Sequence, residues 1–584
     1  MRRWPQVVLL ALAPLWLVGI LWRGAWTPDE PREADIVWRM SLQSDRTLPH
    51  LADTPFLEKP PLSYWASAAA IELLGDSPAV ARIPNIVYAI VGALALGALA
   101  FAMESATAAV VTVLVAGTAI TAFRVTIWLA PDAALLAGCT LALWGAWLGY
   151  TGTPGRRKLF GYTLMHAGAA VGFMAKSAPG WLVPALALLT IILWERRWAE
   201  LGRWELYVGL VVQALFIGPW LYEVARTTEG ATALRTLFWN NVVGRFTAVS
   251  APAALDYTRG HRNVPGKYLL ELPVYLLPWT LLVLAAARRA WDRVRVRGPQ
   301  RTAWRFAVSA IVPFLALLSV AATARDIYAA PVLPGCALLV GLWLAEPAPG
   351  REGPLLTPLN RFAHGATRFL VLSIASLLAA AMLILALSGS ASSAVHLLLN
   401  ALAVLAVAIL CLRLSAQSQA VGDTLQSFSW TYTAHAAALT LSALALFPIM
   451  DRWQDLPALA QRIHDDTRGR PLAVLQPDET TIAMLDHHLQ TPVATLSSQS
   501  GATSATLVSS WFHAQGARAL VLVKLPGRQP GALEHFLAHL RRIAPPDDEP
   551  ATTLVNTGVA AIAHRYELPE GRRYVLLGPA AARP

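Results

Sequence analysis

Apolar residues run almost unbroken for about twenty positions at a time, and charged residues collect in the short intervals between these runs. A helix needs about 20 such residues to cross the hydrocarbon core of a bilayer. On that measure spans are predicted near residues 5–22, 83–102, 106–123, 133–151, 160–175, 180–194, 206–222, 267–287, 306–322, 329–345, 369–388, 394–412 and 430–449, roughly thirteen in all. The first follows Met1-Arg2-Arg3 and lacks a small-residue cleavage site, so it is expected to remain as a helix rather than act as a signal peptide. From about Asp451 the pattern changes. Apolar runs shorten to strand length at 471–475, 519–523 and 552–555, and amphipathic helices are predicted at 456–463, 480–489 and 532–543. The chain therefore divides into a polytopic helical membrane unit over 1–450 and a soluble α/β domain over 451–584. A long first loop, about 23–82, carries two partly amphipathic stretches. One contains Ala34, Val37, Trp38 and Met40, and the other covers 64–74; both are predicted as short helices in the interface plane.

Composition sharpens this reading. Only 14% of the 584 residues are charged and 55% are hydrophobic, against roughly a quarter charged in soluble domains. The net charge of +11 is no nucleic-acid signal, because the excess Arg sits in short loops: Arg156-Arg157-Lys158, Arg196-Arg197, and the cluster from Arg288 to Arg305. With the N-terminus in the cytoplasm, every strong basic cluster falls on the cytoplasmic side, as the positive-inside rule requires. The same count puts the first loop, 124–132, 176–180, 223–266, 325–328 and the C-terminal domain outside, which predicts one polar cavity at the outer face. Cys139, Cys336 and Cys411 lie in apolar runs and read as core residues. No P-loop, GxGxxG, HExxH or zinc-finger spacing occurs, which argues against a nucleotide cofactor, a soluble nucleotide-sugar fold and ATP-driven transport.

Charge between apolar walls marks the candidate chemistry. Thr27-Pro28-Asp29-Glu30-Pro31-Arg32-Glu33 follows the first span directly. Asp29 is a candidate base or partner for a developing cation, or else simply a helix cap. Arg32, three residues on, would share its face on a helical turn, and a guanidinium beside a carboxylate suits phosphate. Glu58-Lys59 lies between Pro55, Pro60 and Pro61, so its backbone is rigid and non-helical. Asp132 opens a span after Pro131, as a functional carboxylate or an N-terminal cap. Lys176 closes another, as a phosphate ligand or a snorkelling lysine. His261 stands in a loop between Arg259 and Arg262, where most histidines are only solvated. His166 reads as a packed helix residue.

Taken together, Asp29-Glu30-Pro31-Arg32, Phe56-Leu57-Glu58-Lys59-Pro60-Pro61-Leu62-Ser63-Tyr64-Trp65 and Ala81-Arg82-Ile83-Pro84 resemble the aminoarabinose transferase family, GT-C enzymes related to protein O-mannosyltransferases. The resemblance extends to Ala130-Pro131-Asp132, Lys176-Ser177-Ala178-Pro179-Gly180, His261 with Pro265 and Tyr268, and Arg325-Asp326-Ile327-Tyr328. Family members commonly carry tyrosine where Phe56 stands and glycine where Ser177 stands. The resemblance implies a glycosyltransferase in a bacterial inner membrane, with its site and C-terminal domain periplasmic. It would move a sugar, such as 4-amino-4-deoxy-L-arabinose, from undecaprenyl phosphate to a lipid A phosphate or another envelope acceptor. It implies Asp29 and Asp132 as catalytic carboxylates, and Arg32, Lys59, Lys176, Tyr268, Arg325 and Tyr328 as substrate and phosphate ligands. It also implies a divalent metal, zinc, at Glu58 and His261. Partners are the lipid-linked donor, the acceptor and membrane lipids, with no nucleic acid, and the protein is expected as a monomer. Two alternatives stand beside this: a protein or polysaccharide O-glycosyltransferase using the same donor class, and a transporter or flippase, for which mid-membrane charges and internal repeats would be the signs.

Overall fold

In apolar surroundings a chain satisfies its backbone by helix formation, and the membrane part of this protein is built of helices joined by turns and short loops. The computed structural model describes residues 4–247, 263–264, 266–298, 300–346, 358–388, 394–489, 493–497, 503–525 and 550–580. Two units emerge from the contacts: 1–23, 43–49 and 56–447 form one, and 24–42, 50–55 and 448–584 the other.

All thirteen predicted stretches of the first unit coincide with helix. Eight helices among the described residues are long and apolar enough to cross a membrane, or up to ten if two bent pairs each count as one span. The bent pairs are Ala106–Thr118 with Ile120–Ile127, at 71°, and Lys267–Tyr275 with Thr280–Arg293, at 117°. The first predicted span is the 18-residue helix Trp4–Leu21. Of the other predicted spans, two miss that test: Pro179–Glu195 is short, and Arg156–Lys176 carries a basic start and a run of glycine and alanine. That last composition has a packing reason. Asp132–Thr151 and Arg156–Lys176 run antiparallel with their backbones in contact, and a Cβ at Gly145 or Gly161 would overlap the opposite backbone. The pair thereby fixes two polar ends. At one end the buried Lys158 Nζ donates to Gly149 O and Glu200 Oε2, both at 2.7 Å, and Arg305 meets Glu195 at 3.7 Å. The predicted basic clusters thus gather at one end of the bundle. Asp132 and Lys176 stand at the other.

Arg82 shows how the first loop is tied to this unit. Its guanidinium is fully buried and donates to Ile20 O at 3.3 Å and Arg23 O at 3.0 Å, so it caps carbonyls at the end of the first helix.

The second unit is built on a five-stranded sheet in the order Ala494–Leu496, Leu472–Leu475, Leu520–Leu525, Arg573–Pro579, Ala560–Glu567. The first three strands are parallel, in register Ala473↔Ala494 and Leu472↔Leu520. The last two are antiparallel, with Val521↔Leu577 and Tyr566↔Tyr574 paired. The predicted strands at 471–475 and 519–523 and helices at 456–463 and 480–489 are present. The predicted strand at 552–555 is instead part of the helix Pro550–Asn556. Pro550 opens that helix, and the sheet position is filled by Ala560–Glu567. The predicted helix at 532–543 lies outside the described residues. Of the two predicted interfacial stretches, Leu62–Leu74 keeps Leu73 and Leu74 exposed. Glu30–Leu42 does not face outward: Ile36, Val37, Trp38 and Met40 are buried with Glu30, Glu33 and Asp35. Its cover is the helix Glu479–Leu489, so this part of the first loop groups with the C-terminal domain rather than with residues 1–450.

Candidate functional site

Candidate residues stand in both units. In the membrane unit, Asp132 begins Asp132–Thr151, where the positive end of the helix dipole favours a carboxylate, and Lys176 ends Arg156–Lys176, where the negative end favours a cation. The two meet in a largely buried ion pair at 2.5 Å. Lys176 Nζ also lies 5.3 Å from the centre of the Tyr328 ring, and Arg245 Nη1 donates to Tyr328 Oη at 2.8 Å. Tyr268, fully buried, donates its hydroxyl to Arg325 O at 3.1 Å. Arg124 pairs with Asp326, next in sequence to Arg325. Asp132, Lys176, Tyr268, Arg325 and Tyr328 are therefore brought to one end of the helical bundle. Sequence reasoning missed Arg245. A lone arginine in an irregular stretch has no spacing to mark it, and only the contact with Tyr328 reveals it.

Ser177 follows Lys176 with φ at 62° and a buried Oγ that has no partner among the described residues. A positive φ costs a non-glycine residue of order 1 kcal/mol or more, which is the physical reason glycine suits this place.

Glu58 and Lys59 stand in the same unit, where the neighbouring Leu57 packs against the apolar cluster of Phe173 and Met174 that leads to Lys176. Asn241 Nδ2 donates to Glu58 O at 2.6 Å, and Lys59 Nζ lies 5.5 Å from the Phe56 ring centre. Thus Phe56 offers Lys59 an aromatic face. His261 lies outside the described residues. A catalytic zinc ordinarily takes three protein ligands and a structural one four. Among the described residues no three His, Cys, Asp or Glu side chains group as a metal centre, so these residues do not by themselves fit a resident zinc.

Asp29 and Arg32 belong to the second unit. Trp26 N–H donates to Glu30 Oε2 at 2.8 Å, closing the helix start in the manner of a capping box. Arg32 then lies against three carboxylates: Glu33 at 2.7 Å, Glu479 at 2.5 Å and Asp29 at 3.4 Å. The i,i+3 spacing does place Asp29 and Arg32 together. Nearby, Asp478 receives Lys524 at 2.5 Å and Arg572 at 3.1 Å. Burial pushes its carboxyl up, but hydrogen bonds from Lys524 and Thr481 and the Arg572 charge outweigh that and hold it at about 2.

Comparison with known proteins adds three findings. A family profile described as dolichyl-phosphate-mannose-protein mannosyltransferase matches residues 58–222. An undecaprenyl phosphate-alpha-4-amino-4-deoxy-L-arabinose arabinosyl transferase of Pseudomonas aeruginosa (strain LESB58) is 29% identical over 347 residues, and one of Edwardsiella ictaluri is 29% identical over 327. These matches cover 59% and 56% of this chain, and the chain spans only 60% and 56% of those relatives' lengths. Among solved structures, ArnT from Cupriavidus metallidurans bound to undecaprenyl phosphate superposes with a TM-score of 0.73, covering 99% of this chain and 98% of that one at 18% identity. Its apo form gives 0.68, covering 98% and 97% at 19% identity. That likeness establishes the fold over nearly the whole length.

Proposed function

We propose that this chain, an ArnT-like polytopic membrane protein with the GT-C fold, transfers a sugar from an undecaprenyl-phosphate donor to a cell-envelope acceptor. The observation that carries this is the cationic end of the membrane bundle, where Lys176, Arg245, Arg325 and Tyr328 gather beside Asp132. In transfer, the bond between the anomeric carbon and the donor phosphate oxygen breaks, and a bond from that carbon to an acceptor oxygen forms. The lipid phosphate leaves with the electron pair. Such a leaving group needs charge stabilisation more than a proton. Within the membrane unit Lys176 and Lys59 supply that charge, while Asp132 orients Lys176; Arg32, in the second unit, is a donor-phosphate candidate on the resemblance. Tyr268 and Tyr328 hold the Arg325 and Arg245 segments in place.

The acceptor decides what Asp29 does. A phosphate acceptor is already anionic at neutral pH, and Asp29 then stabilises oxocarbenium character. This reading, with 4-amino-4-deoxy-L-arabinose and lipid A, follows the named relatives. A hydroxyl acceptor must lose a proton, and Asp29 would take it; the profile match over 58–222 favours that second reading. Purified protein incubated with labelled polyprenyl-phosphate sugars and either lipid A or a hydroxyl acceptor separates the two. Absence of transfer to both, with every donor, removes the enzyme reading.

The proposed setting is a bacterial inner membrane, with the C-terminal domain periplasmic. The clustering of Lys158, Arg197 and Arg305 at the bundle end opposite Lys176 supports it. Alkaline phosphatase fused after Pro584 should be active, and an inactive full-length fusion overturns this orientation.

A divalent ion on Glu58 and His261 would act by polarising a phosphate oxygen. Because the described residues do not complete a donor set, no step is derived through it. If such an ion is bound, Glu58→Gln and His261→Ala each lower the metal content of purified protein. Equal content in wild type and both variants removes the site.

A further inference from the structure

Glu195, Glu200 and Glu205 are the only carboxylates between Ala133 and Tyr222, and all three turn inward in the membrane unit. Glu195 accepts from Tyr150 Oη at 2.8 Å and from Thr302 Oγ1 at 2.9 Å. Glu200 is buried and takes Lys158 Nζ at 2.7 Å, Tyr162 Oη at 3.0 Å and Arg197 Nη2 at 3.0 Å. Glu205 is buried too, and accepts the Gly155 N–H at 3.0 Å. These bonds pin residues 195–205 onto the start of helix Arg156–Lys176. The pinned stretch links helix Pro179–Glu195 to the apolar run Trp204–Arg226.

The arginines of this region take the opposite side. Arg156, Arg157 and Arg196 are exposed and Arg203 is half-buried, and none of these four guanidinium groups has a hydrogen bond or ion pair among the described residues. Trp198, Trp204 and Tyr207 are exposed as well. Buried carboxylates beneath exposed tryptophans reverse the arrangement of a surface made for water. Tryptophan and tyrosine favour the headgroup level of a bilayer, which accounts for the rings. The arginines need a counter-ion besides, and every carboxylate of the stretch is already committed beneath them. Their countercharge therefore comes from outside the chain. Further along Trp204–Arg226, Leu210, Val211 and Leu215 are exposed, so an apolar flank continues from the charged patch.

We propose that the link 195–205 binds the phosphate headgroup of an anionic phospholipid such as phosphatidylglycerol. Arg196 and Arg203, towards the two ends of the link, take the phosphate oxygens, because a guanidinium presents paired N–H donors to a phosphate. Arg156 and Arg157 add charge beside Gly155 and Lys158, the residues that the glutamates hold. The acyl chains follow Leu210, Val211 and Leu215, and this apolar continuation favours a lipid over a free phosphate ion. Anionic lipids of the surrounding leaflet supply the ligand. The site lies at the bundle end opposite Asp132 and Lys176, and it does not depend on the transfer reading.

The test uses the full-length protein, stripped of lipid in a neutral detergent and titrated with phosphatidylglycerol or with phosphatidylcholine. Native mass spectrometry counts the bound lipid. Phosphatidylglycerol should bind about tenfold or more tighter. Arg196→Gln combined with Arg203→Gln should cost phosphatidylglycerol about tenfold or more in affinity, since each basic group near an anionic lipid contributes about fivefold. Binding of phosphatidylcholine should stay as it was. Arg295→Gln combined with Arg297→Gln removes two exposed arginines from another link at the same end of the bundle, and should change neither lipid. An equal loss in that control pair overturns the site and leaves only diffuse surface charge. Equal affinity of wild type for the two lipids overturns it too, and so does full displacement of phosphatidylglycerol by excess inorganic phosphate, which would mark a site for the free ion. Should the Arg196 and Arg203 variant fail to fold, Arg156→Gln combined with Arg157→Gln carries the same expectation, and the comparison of the two lipids on wild type still decides.

Discussion

Lys176→Ala should reduce sugar transfer by about 10²- to 10³-fold, the usual cost of removing one preorganised charge from a developing anion. The side chain ends a helix whose partner begins with Asp132, and the ion pair between them is largely buried. Removing the lysine alone leaves that carboxylate buried without its cation, which costs about 3–5 kcal/mol in comparable pairs. Loss of fold and loss of chemistry must therefore be separated. Lys176→Ala combined with Asp132→Asn removes both charges. It should regain thermal stability in detergent relative to the single variant, yet remain as poor in transfer. Recovery of turnover in the double variant would show that Lys176 only neutralises Asp132. Lys176→Arg keeps the charge but replaces a point donor by a planar fork, and should sit between the two.

Arg32→Ala and Lys59→Ala should each lose a comparable factor, about 10²–10³ in kcat, although they stand in different surroundings. Arg32 is held by Glu33, Glu479 and Asp29. Its loss takes a guanidinium from the buried Glu33, so stability is expected to drop too. Lys59 rests on the Phe56 ring beside prolines that fix the backbone, so its removal should leave folding intact. Arg32→Lys is a useful control, because an ammonium keeps the charge but cannot reproduce the planar fork that faces several carboxylates. Initial rates with a labelled lipid-linked sugar, alongside melting curves, decide the matter. Near-wild-type turnover in both alanine variants would remove these two residues from the donor phosphate.

The i,i+3 spacing of Asp29 and Arg32 is readable directly, because it depends only on helical geometry. The locking of Glu58-Lys59 between prolines is equally local. Arg245 was not readable. It reaches Tyr328 from 83 positions away in sequence, and no local pattern encodes such a contact. Thr552 to Val555 illustrates the limit within elements: four β-favouring residues promise a strand, but a proline start and competition for the sheet edge leave them in a helix.

The sequence by itself determined what periodicity and hydrophobicity control: long apolar helices, the separation of the basic loops from them, an α/β tail, and the identity of the charged residues worth examining. Those properties follow from the transfer of local segments out of water, and each segment carries its own signal. Only the tertiary structure decided where the first-loop helix belongs. Its apolar face reads as a surface for lipid, yet Arg32 and Arg39 find partners on Glu479–Leu489, more than four hundred residues later. Charge pairing and burial between distant segments depend on which surfaces meet, and a linear pattern of residues records only what each surface could offer.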